Sequence, residues 1–370
     1  MLKFDRRLLV NFDWTLLVAL VVVAAMALAN LYSASYTGFY GTPAYMKQMY
    51  FYLMGCCVIL LIVSFDYRVL INLNYFIYGL IIILLILALV FGRTTAGTQR
   101  WINLGFFKLQ PSEPAKLSLV IALASYYYRK DTGKGFSLKE LIVPGLLTGV
   151  PFLLIIKQPD LGTALMLGCV FVSMTVFVKL RWSTLVTLSS CCAMIIPLGW
   201  KFGLKPYQRQ RVETFLNPES DPLNSGYHIM QSKIAIGSGS KFGKGFLEGT
   251  QVHLDFLPER HTDFIFSVLA EEWGFAGAVV FLACYFFLIL LGLNIALSSR
   301  DKFGVLLAFG VVSLIFWQAV INLGMVLGLL PVVGMPLPLF SYGGSSLLTT
   351  LAGIGILFNI RMRRFLVGTT

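Results

Sequence analysis

The sequence predicts an all-α polytopic integral membrane protein with about ten transmembrane helices, and three observations carry that expectation. The composition is 57% hydrophobic and only 12% charged, against roughly 25% charged in soluble domains. Apolar runs long enough to cross a bilayer, about 20 residues each, recur along the chain and are separated by short polar connections. Lysine and arginine concentrate in every second connection, the asymmetry that orients membrane helices. This excludes a soluble enzyme and a nucleic-acid-binding module.

The first run follows the basic segment MLKFDRR. It spans 14–31 and has no A-x-A-like cleavage site, so it reads as a transmembrane helix and not as a removable signal. The spans centre on 15–33, 48–65, 73–92, 111–128, 141–157, 162–179, 183–203, 275–297, 304–327 and 344–360. The basic connections hold Arg6, Arg68, Arg129, Arg181, Arg300 and Arg361, among others. With ten spans they fall on one side, with both termini, and that side is expected to be cytoplasmic. The opposite side receives 34–46, 93–110, 158–161, 204–263 and 328–343, so one large extracytoplasmic loop joins the seventh and eighth spans. The net charge of +12 leaves many cations on that side; they suit either a solvated loop surface or an anionic ligand. Cys56, Cys57, Cys169, Cys191, Cys192 and Cys284 lie in apolar runs without C-x-x-C spacing. They read as small buried hydrophobes, with no disulfide and no thiolate metal site expected.

The loop 204–263 holds all three histidines. Its aromatic and apolar content argues for structure, and YHIMQSKIAIGSG (227–239) reads as a short amphipathic helix at the membrane interface. At the loop's end, FLPERHTDFIF (256–266) places Glu259, Arg260, His261, Thr262 and Asp263 directly before an apolar run. DFIFSVLAEEWG (263–274) is too short to span, and a complete span follows it. Asp263 is therefore expected to begin a broken, half-buried helix, of the kind tolerated only inside protein or beside a water-filled cavity. Its carboxylate suits a helix cap, a functional ionisable group or, with Glu259 and His261, a weakly spaced metal site.

Other groups fall on the same side. In QPSEPAK (110–116), Ser112 suits an N-cap, Pro114 a first turn, and Glu113 and Lys116 an i,i+3 ion pair. KQPDLGTA (157–164) puts Asp160 in a tight turn. YQRQRV (207–212) sets Arg209 and Arg211 two residues apart, a spacing able to clamp a phosphate. GSGSKFGKG (237–245) is a weak candidate for a backbone phosphate cradle. PVVGMPLPLFSYGGSS (331–346) is a loop stiffened by prolines.

Taken in order, QRWINLG, QPSEPAK, KQPDLGTA, YQRQRV, NPESDPLNSGYH, QSKIAIGSG, LPERHTDFIFSVLAEEWG and PLPLFSYGGSS resemble the SEDS family (shape, elongation, division and sporulation) of cell-wall glycosyltransferases. YQRQRV, GYHIMQSKIAIGSG and PERHTDFIF resemble its rod-elongation branch; the division branch usually has Ala where Arg260 stands. The first hundred residues match mainly in hydropathy. The resemblance implies a peptidoglycan polymerase that joins lipid II units at the outer face of the bacterial cytoplasmic membrane. It implies Asp263 as general base and the Glu113–Lys116 pair as a functional support. Arg209, Arg211, Lys233, Arg100 and Lys47 are then candidates to bind the departing undecaprenyl pyrophosphate. Glu259 and His261 are candidates to contact substrate, and Asp160 is a second candidate acid. No protein-held metal is expected; a divalent cation, Mg2+ or Mn2+, assisting the pyrophosphate is left open. Expected partners are lipid II and undecaprenyl-pyrophosphate-linked glycan, a class B penicillin-binding protein transpeptidase, and other proteins of the rod elongation complex. The transpeptidase would contact the outer loop and the eighth and ninth spans, where Phe281, Phe286, Phe287 and Phe316 stand at lipid level. A lipid II flippase and a non-catalytic scaffold for that transpeptidase stay as alternatives.

Overall fold

A computed structural model describes residues 11–36, 43–95, 98–103, 105, 108–130, 133, 135–198, 206–221, 225–254, 256–257 and 259–364. Each predicted span coincides with a helix over its described residues, with 199–203 of the seventh lying outside them, and the protein is a multi-pass membrane protein. The spans are α1 (Trp14–Ala34), α2 (Ala44–Ser64), α3 (Leu70–Phe91), α4 (Ser112–Arg129), α5 (Ile142–Lys157), α6 (Leu161–Phe177) and α7 (Trp182–Leu198). The loop that follows contains α8 (Pro206–Leu216), α9 (Ser225–Ser238) and α10 (Thr250–His253). The last three helices are α11 (Ile265–Ser298), α12 (Lys302–Val326) and α13 (Gly344–Met362). Among the described residues, seven helices are long and apolar enough to cross a membrane by length and composition. The other three predicted spans differ for identifiable reasons. Helix α4 carries Glu113, Lys116 and Arg129. Helices α6 and α7 have 17 residues each, the lower limit for a span.

The connections predicted to share a side do meet. Asp13 pairs with Arg361 at 3.3 Å, and Phe12 stacks on Phe358 with ring centroids 4.8 Å apart. Both described ends of the chain therefore lie at one end of the bundle. At that same end the Tyr67 hydroxyl donates to Asp301, and Arg181 Nε donates to the Gly135 carbonyl at 3.1 Å. Helices α12 and α13 form the centre, with most of their residues buried, whereas α2 buries only Gln48 and Gly55. Small residues allow the close packing that membrane helices require: a Cβ on Gly292 would lie 2.6 Å from a Val312 methyl.

The structure departs from the sequence reading in several places. The segment after α3 is a three-stranded antiparallel sheet, β1 (Arg93–Thr95), β2 (Thr98–Asn103) and β3 (Lys108–Leu109), so the fold is nearly but not wholly α. Helix α9 does not simply lie on the membrane interface. Its Ile229 and Ala235 are buried, and Ser232 bonds both the Ser267 hydroxyl at 2.8 Å and the Val326 carbonyl at 2.6 Å. Phe281 is not at lipid level: it is fully buried against Phe340, while Phe286, Phe287 and Phe316 are exposed as expected. Cys56, Cys57 and Cys191 are exposed on their helix faces, where buried hydrophobes were expected.

The expected broken helix is present. Helix α11 is two helices joined across Gly274, whose φ of 64° and ψ of −163° no helix can hold. Such a break leaves carbonyls of the first half and N–H groups of the second without helical partners. The glycine-rich segment 240–245 supplies them. Lys244 N and Gly245 N donate to the Glu271 and Glu272 carbonyls, both at 3.1 Å. Phe275 N and Ala276 N donate to the Ser240 and Lys241 carbonyls at 2.9 and 3.0 Å. This backbone splice is the reason for the glycines: a Cβ on Gly243 would meet the Glu272 carbonyl oxygen at 2.0 Å. Two of the loop amides expected to cradle phosphate, those of Lys244 and Gly245, are thus occupied by the helix break, and those of Gly239, Ser240 and Gly243 bond carbonyls of their own segment.

Gly243 also has a φ of +82°, so Gly243→Ala adds strain to that clash. The substitution is expected to cost about 1–3 kcal/mol and lower the midpoint of heat denaturation in detergent.

Candidate active site

At the end of the bundle opposite Asp13 and Arg361, a cavity of about 200 Å3 opens among the strands, α4, α12 and the 334–346 segment. Asp263, Arg100, Lys116, Glu113, Gln318 and Tyr342 are among its lining residues.

Asp263 enters it from a tight turn. Glu259 adopts a left-handed φ of 52°, uncommon outside glycine. Its carbonyl accepts from the amides of Thr262, Asp263 and Phe264 at 3.1, 3.1 and 3.3 Å. That turn delivers Asp263 to the start of α11, two residues before Ile265. The Asp263 carbonyl accepts from Asn322 Nδ2 at 2.9 Å, and the His261 carbonyl accepts from Tyr342 N at 2.9 Å. A methyl at Gly334 would stand 3.4 Å from Asp263 Oδ2, so the 331–346 loop closes over the carboxyl. The N-cap position belongs to Phe264, and no side chain caps the helix, so the capping role expected for Asp263 is not the one it performs.

The electrostatics also differ from expectation. A helix N-terminus favours an ionised carboxylate, but here burial dominates and pushes the Asp263 carboxyl up to about 7. The Glu259 carboxylate pushes the same way, Arg211 and Arg100 oppose it, and Asp160 adds a small upward push. At neutral pH Asp263 therefore exchanges its proton readily, the condition under which a general acid–base group works best.

The remaining predicted residues divide clearly. Glu113 and Lys116 form the expected ion pair at 2.8 Å, deeply buried in the cavity wall. Lys116 also donates to Gln318 Oε1 at 3.0 Å, and Gln318 donates to the Pro336 carbonyl and to Ser346. Ser112 is the first residue of α4 instead of its N-cap; its hydroxyl donates to Asp160 at 3.2 Å. Asp160 caps α6 by accepting from Thr163 N at 3.3 Å and pairs with Arg100 at 3.7 Å. Arg100 donates to the Gln158 and Pro159 carbonyls, so strand β2 is locked to that turn with its guanidinium facing the cavity. Arg211 donates to the Val332 carbonyl at 2.9 Å, close enough for its charge to act on Asp263. Arg209 is half-buried on the same helix.

Other candidates lie apart. Lys233 and Lys47 are exposed and do not line the cavity. The Lys233 ammonium lies against Gly328, just past the end of α12, where an added Cβ would be 2.7 Å from Nζ. Glu259 and His261 act on the site through charge and backbone. Arg260 is buried and donates to the Ala34 carbonyl at the end of α1. The sequence reading missed Gln318 and Asn322. Both are polar and four residues apart in an apolar span, and that was the available signal. It also missed Trp101, which lines the cavity beside Arg100. Among the described residues, no group of three His, Cys, Asp or Glu side chains is placed to hold a metal ion.

A family model described as "Cell cycle protein", covering FtsW, RodA and SpoVE, matches residues 7–365. The peptidoglycan glycosyltransferase MrdB of Escherichia coli K12 is 41% identical over 355 residues, covering 96% of this chain and 95% of that one. A solved chain from work on the structural coordination of polymerization and crosslinking by a peptidoglycan synthase complex is 34% identical. It superposes with a TM-score of 0.82, covering 96% of this chain and 98% of that one. The rod shape determining protein RodA of Thermus thermophilus is 32% identical with a TM-score of 0.70, again over 96% and 98% of the two chains.

Two outcomes follow from the raised proton affinity of Asp263. Because its folded-state pKa lies above the ordinary carboxylate value of 3.8, the protonated form is favoured by folding, and that stability is lost as pH rises through about 7. Asp263→Asn is therefore expected to denature at a higher temperature than wild type at pH 8, with a smaller difference at pH 5. Removing the Arg211 charge, as in Arg211→Gln, is expected to move the acidic limb of the rate profile to higher pH.

Proposed function

The chain belongs to the FtsW, RodA and SpoVE family of cell cycle proteins, the SEDS family, and is a peptidoglycan glycosyltransferase; we propose that Asp263 is its general base and that its substrates are lipid-linked disaccharides of the lipid II type. The observation that carries this reading is a half-buried carboxyl, its proton affinity raised to about 7, lining a cavity that also holds Arg100 and feeling the charge of Arg211.

In this reading the acceptor's GlcNAc 4-hydroxyl gives its proton to Asp263 as its oxygen bonds to the donor's MurNAc anomeric carbon. The bond from that carbon to the pyrophosphate breaks, and the electron pair leaves with the undecaprenyl pyrophosphate. Attack from the face opposite the leaving group inverts the linkage from α to β. The leaving group gathers negative charge as the bond breaks, and cations fixed beside it stabilise that transition state. Arg100 and Arg211 are the two whose positions suit this task; Arg209 stands two residues from Arg211 on α8, a spacing that turns the two side chains to different faces of a helix, so the clamp expected of the pair is not formed by that spacing. Lys116, held between Glu113 and Gln318, supports the cavity wall. Lys47 and Lys233 are left with a part in drawing the anionic substrate toward the surface. A divalent cation, Mg2+ or Mn2+, would arrive as the counter-ion of the pyrophosphate.

The same reading puts the site at the outer face of the bacterial cytoplasmic membrane, where lipid II is presented during rod elongation. It makes a class B penicillin-binding protein the working partner, within the rod elongation complex. The similarity to a chain of a peptidoglycan synthase complex supports that partner.

The test is polymerisation of labelled lipid II by the chain purified with its transpeptidase. Wild type is expected to make glycan strands. Asp263→Asn, equally folded, is expected to lose at least about 100-fold in rate, the range for removing a general base. Strands made by the mutant at the wild-type rate would contradict the assignment.

A further inference from the structure

The mechanism gives no part to two adjacent glutamates, Glu271 and Glu272, at the far end of the half-helix that carries Asp263. Glu271 is fully buried, at 0% exposure. One of its oxygens, Oε1, accepts three hydrogen bonds: from Lys244 Nζ at 2.7 Å, Gln251 N at 3.1 Å and Thr250 Oγ1 at 3.2 Å. Glu272 accepts from the Ser33 hydroxyl in the last turn of α1. All of these ligands lie at the break, beside the splice made by 240–245.

We propose that Glu271, with Lys244, is a positioning residue for the glycosyl transfer, fixing the seat of the Asp263 carboxyl through the half-helix 265–273. The proposal rests on the reading of Asp263 as general base.

The half-helix is tied at both ends. At the front, Asn322 donates to the Asp263 carbonyl and Asn30 donates to the Ile265 carbonyl at 3.0 Å. Arg260 ties the preceding turn to Ala34. In the middle, Ser267 meets Ser232. At the back stand Glu272 with Ser33, and Glu271 with the 244–251 segment. The body between them is rigid helix, roughly 13 Å long at about 1.5 Å per residue. A tilt of roughly 5° about one end would shift the other by roughly 1 Å, and a misplacement of that size can cost about 100-fold in rate.

An ion pair between a fully buried carboxylate and a partly exposed lysine is weak evidence of a role in stability alone, because apolar residues of the same volume often do as well or better. Three donors converging on one oxygen define a single angle for the helix end, which apolar packing does not. Glu271 also reaches both sides of the loop, Lys244 on the splice and Gln251 on α10. The loop surface is exposed there: Phe242 is 82% exposed. A change in loop position is thereby transmitted to the half-helix.

The test uses the full chain in complex with its transpeptidase, with lipid II as substrate and rates measured from pH 5.5 to 9. The variants are Glu271→Gln, Lys244→Met and Lys244→Arg. Thr250→Val, which removes one exposed donor, serves as the milder lesion should Glu271→Gln not fold. Glu271→Gln and Lys244→Met are expected to lower kcat about tenfold or more with KM within about twofold. They are also expected to shift the midpoint of the acidic limb by about half a unit or more, because Asp263 changes its burial and its distances to Glu259, Arg211, Arg100 and Asp160. Lys244→Arg is expected to restore both, and Thr250→Val to shift both in the same direction by less. Reduced amplitude with an unmoved midpoint would mark a purely structural role and overturn the proposal, as would unchanged kcat. A wild-type profile with no acidic limb near neutrality would instead remove Asp263 as base, and this inference with it.

Discussion

Everything at this site depends on one constraint: a helix broken among membrane helices must have its freed backbone groups satisfied by protein. Unpaired N–H and C=O groups in an apolar environment cost several kcal/mol each. Here the break at Gly274 is satisfied by 240–245, whose amides and carbonyls replace the missing turn. Without that splice the chain would continue as one long helix or lose the segment to disorder. With it, a short half-helix can end among the bundle and carry an ionisable residue at its tip.

The same geometry sets the chemistry. Asp263 is half-buried in the cavity wall, and the desolvation there makes its carboxyl resist ionisation even at a helix N-terminus. Arg100 and Arg211 oppose that shift through their charge. Arg100 is committed to Asp160 and to the carbonyls of the 158–159 turn, and Arg211 to Val332. Their charge reaches the cavity while their positions are fixed by other bonds. The Glu113–Lys116–Gln318–Ser346 chain does the same for the cavity floor. Each buried charge in it is paired, which is the condition for tolerating such groups at all.

Much of this was legible in the sequence. The half-helix followed from length, because 263–274 cannot span and the next run can. The convergence of QPSEPAK, KQPDLGTA and the 331–346 loop followed from topology. What was not legible depended on contacts between distant segments. The proton affinity of Asp263 is set by burial under Gly334 and by charges from β2, α6, α8 and its own turn, so the helix dipole alone gave the wrong direction. Lys233 looked equivalent to Arg211, yet α9 packs so that Lys233 lies against Gly328. The glycines of 237–245 suggested a ligand, whereas the ligand is the protein's own helix break. Nothing in DFIFSVLAEEWG marks Glu271 and Glu272 as tied residues, because only the fold brings Lys244 and Ser33 to them.

The central claim is that Asp263 is a half-buried carboxyl poised to exchange a proton at neutral pH. Infrared difference titration of wild type against Asp263→Asn measures this directly. The account predicts a protonated-carboxyl band, absent from the mutant, that disappears with a midpoint at about 7. A band that titrates near the ordinary carboxylate value of about 3.9 would contradict it.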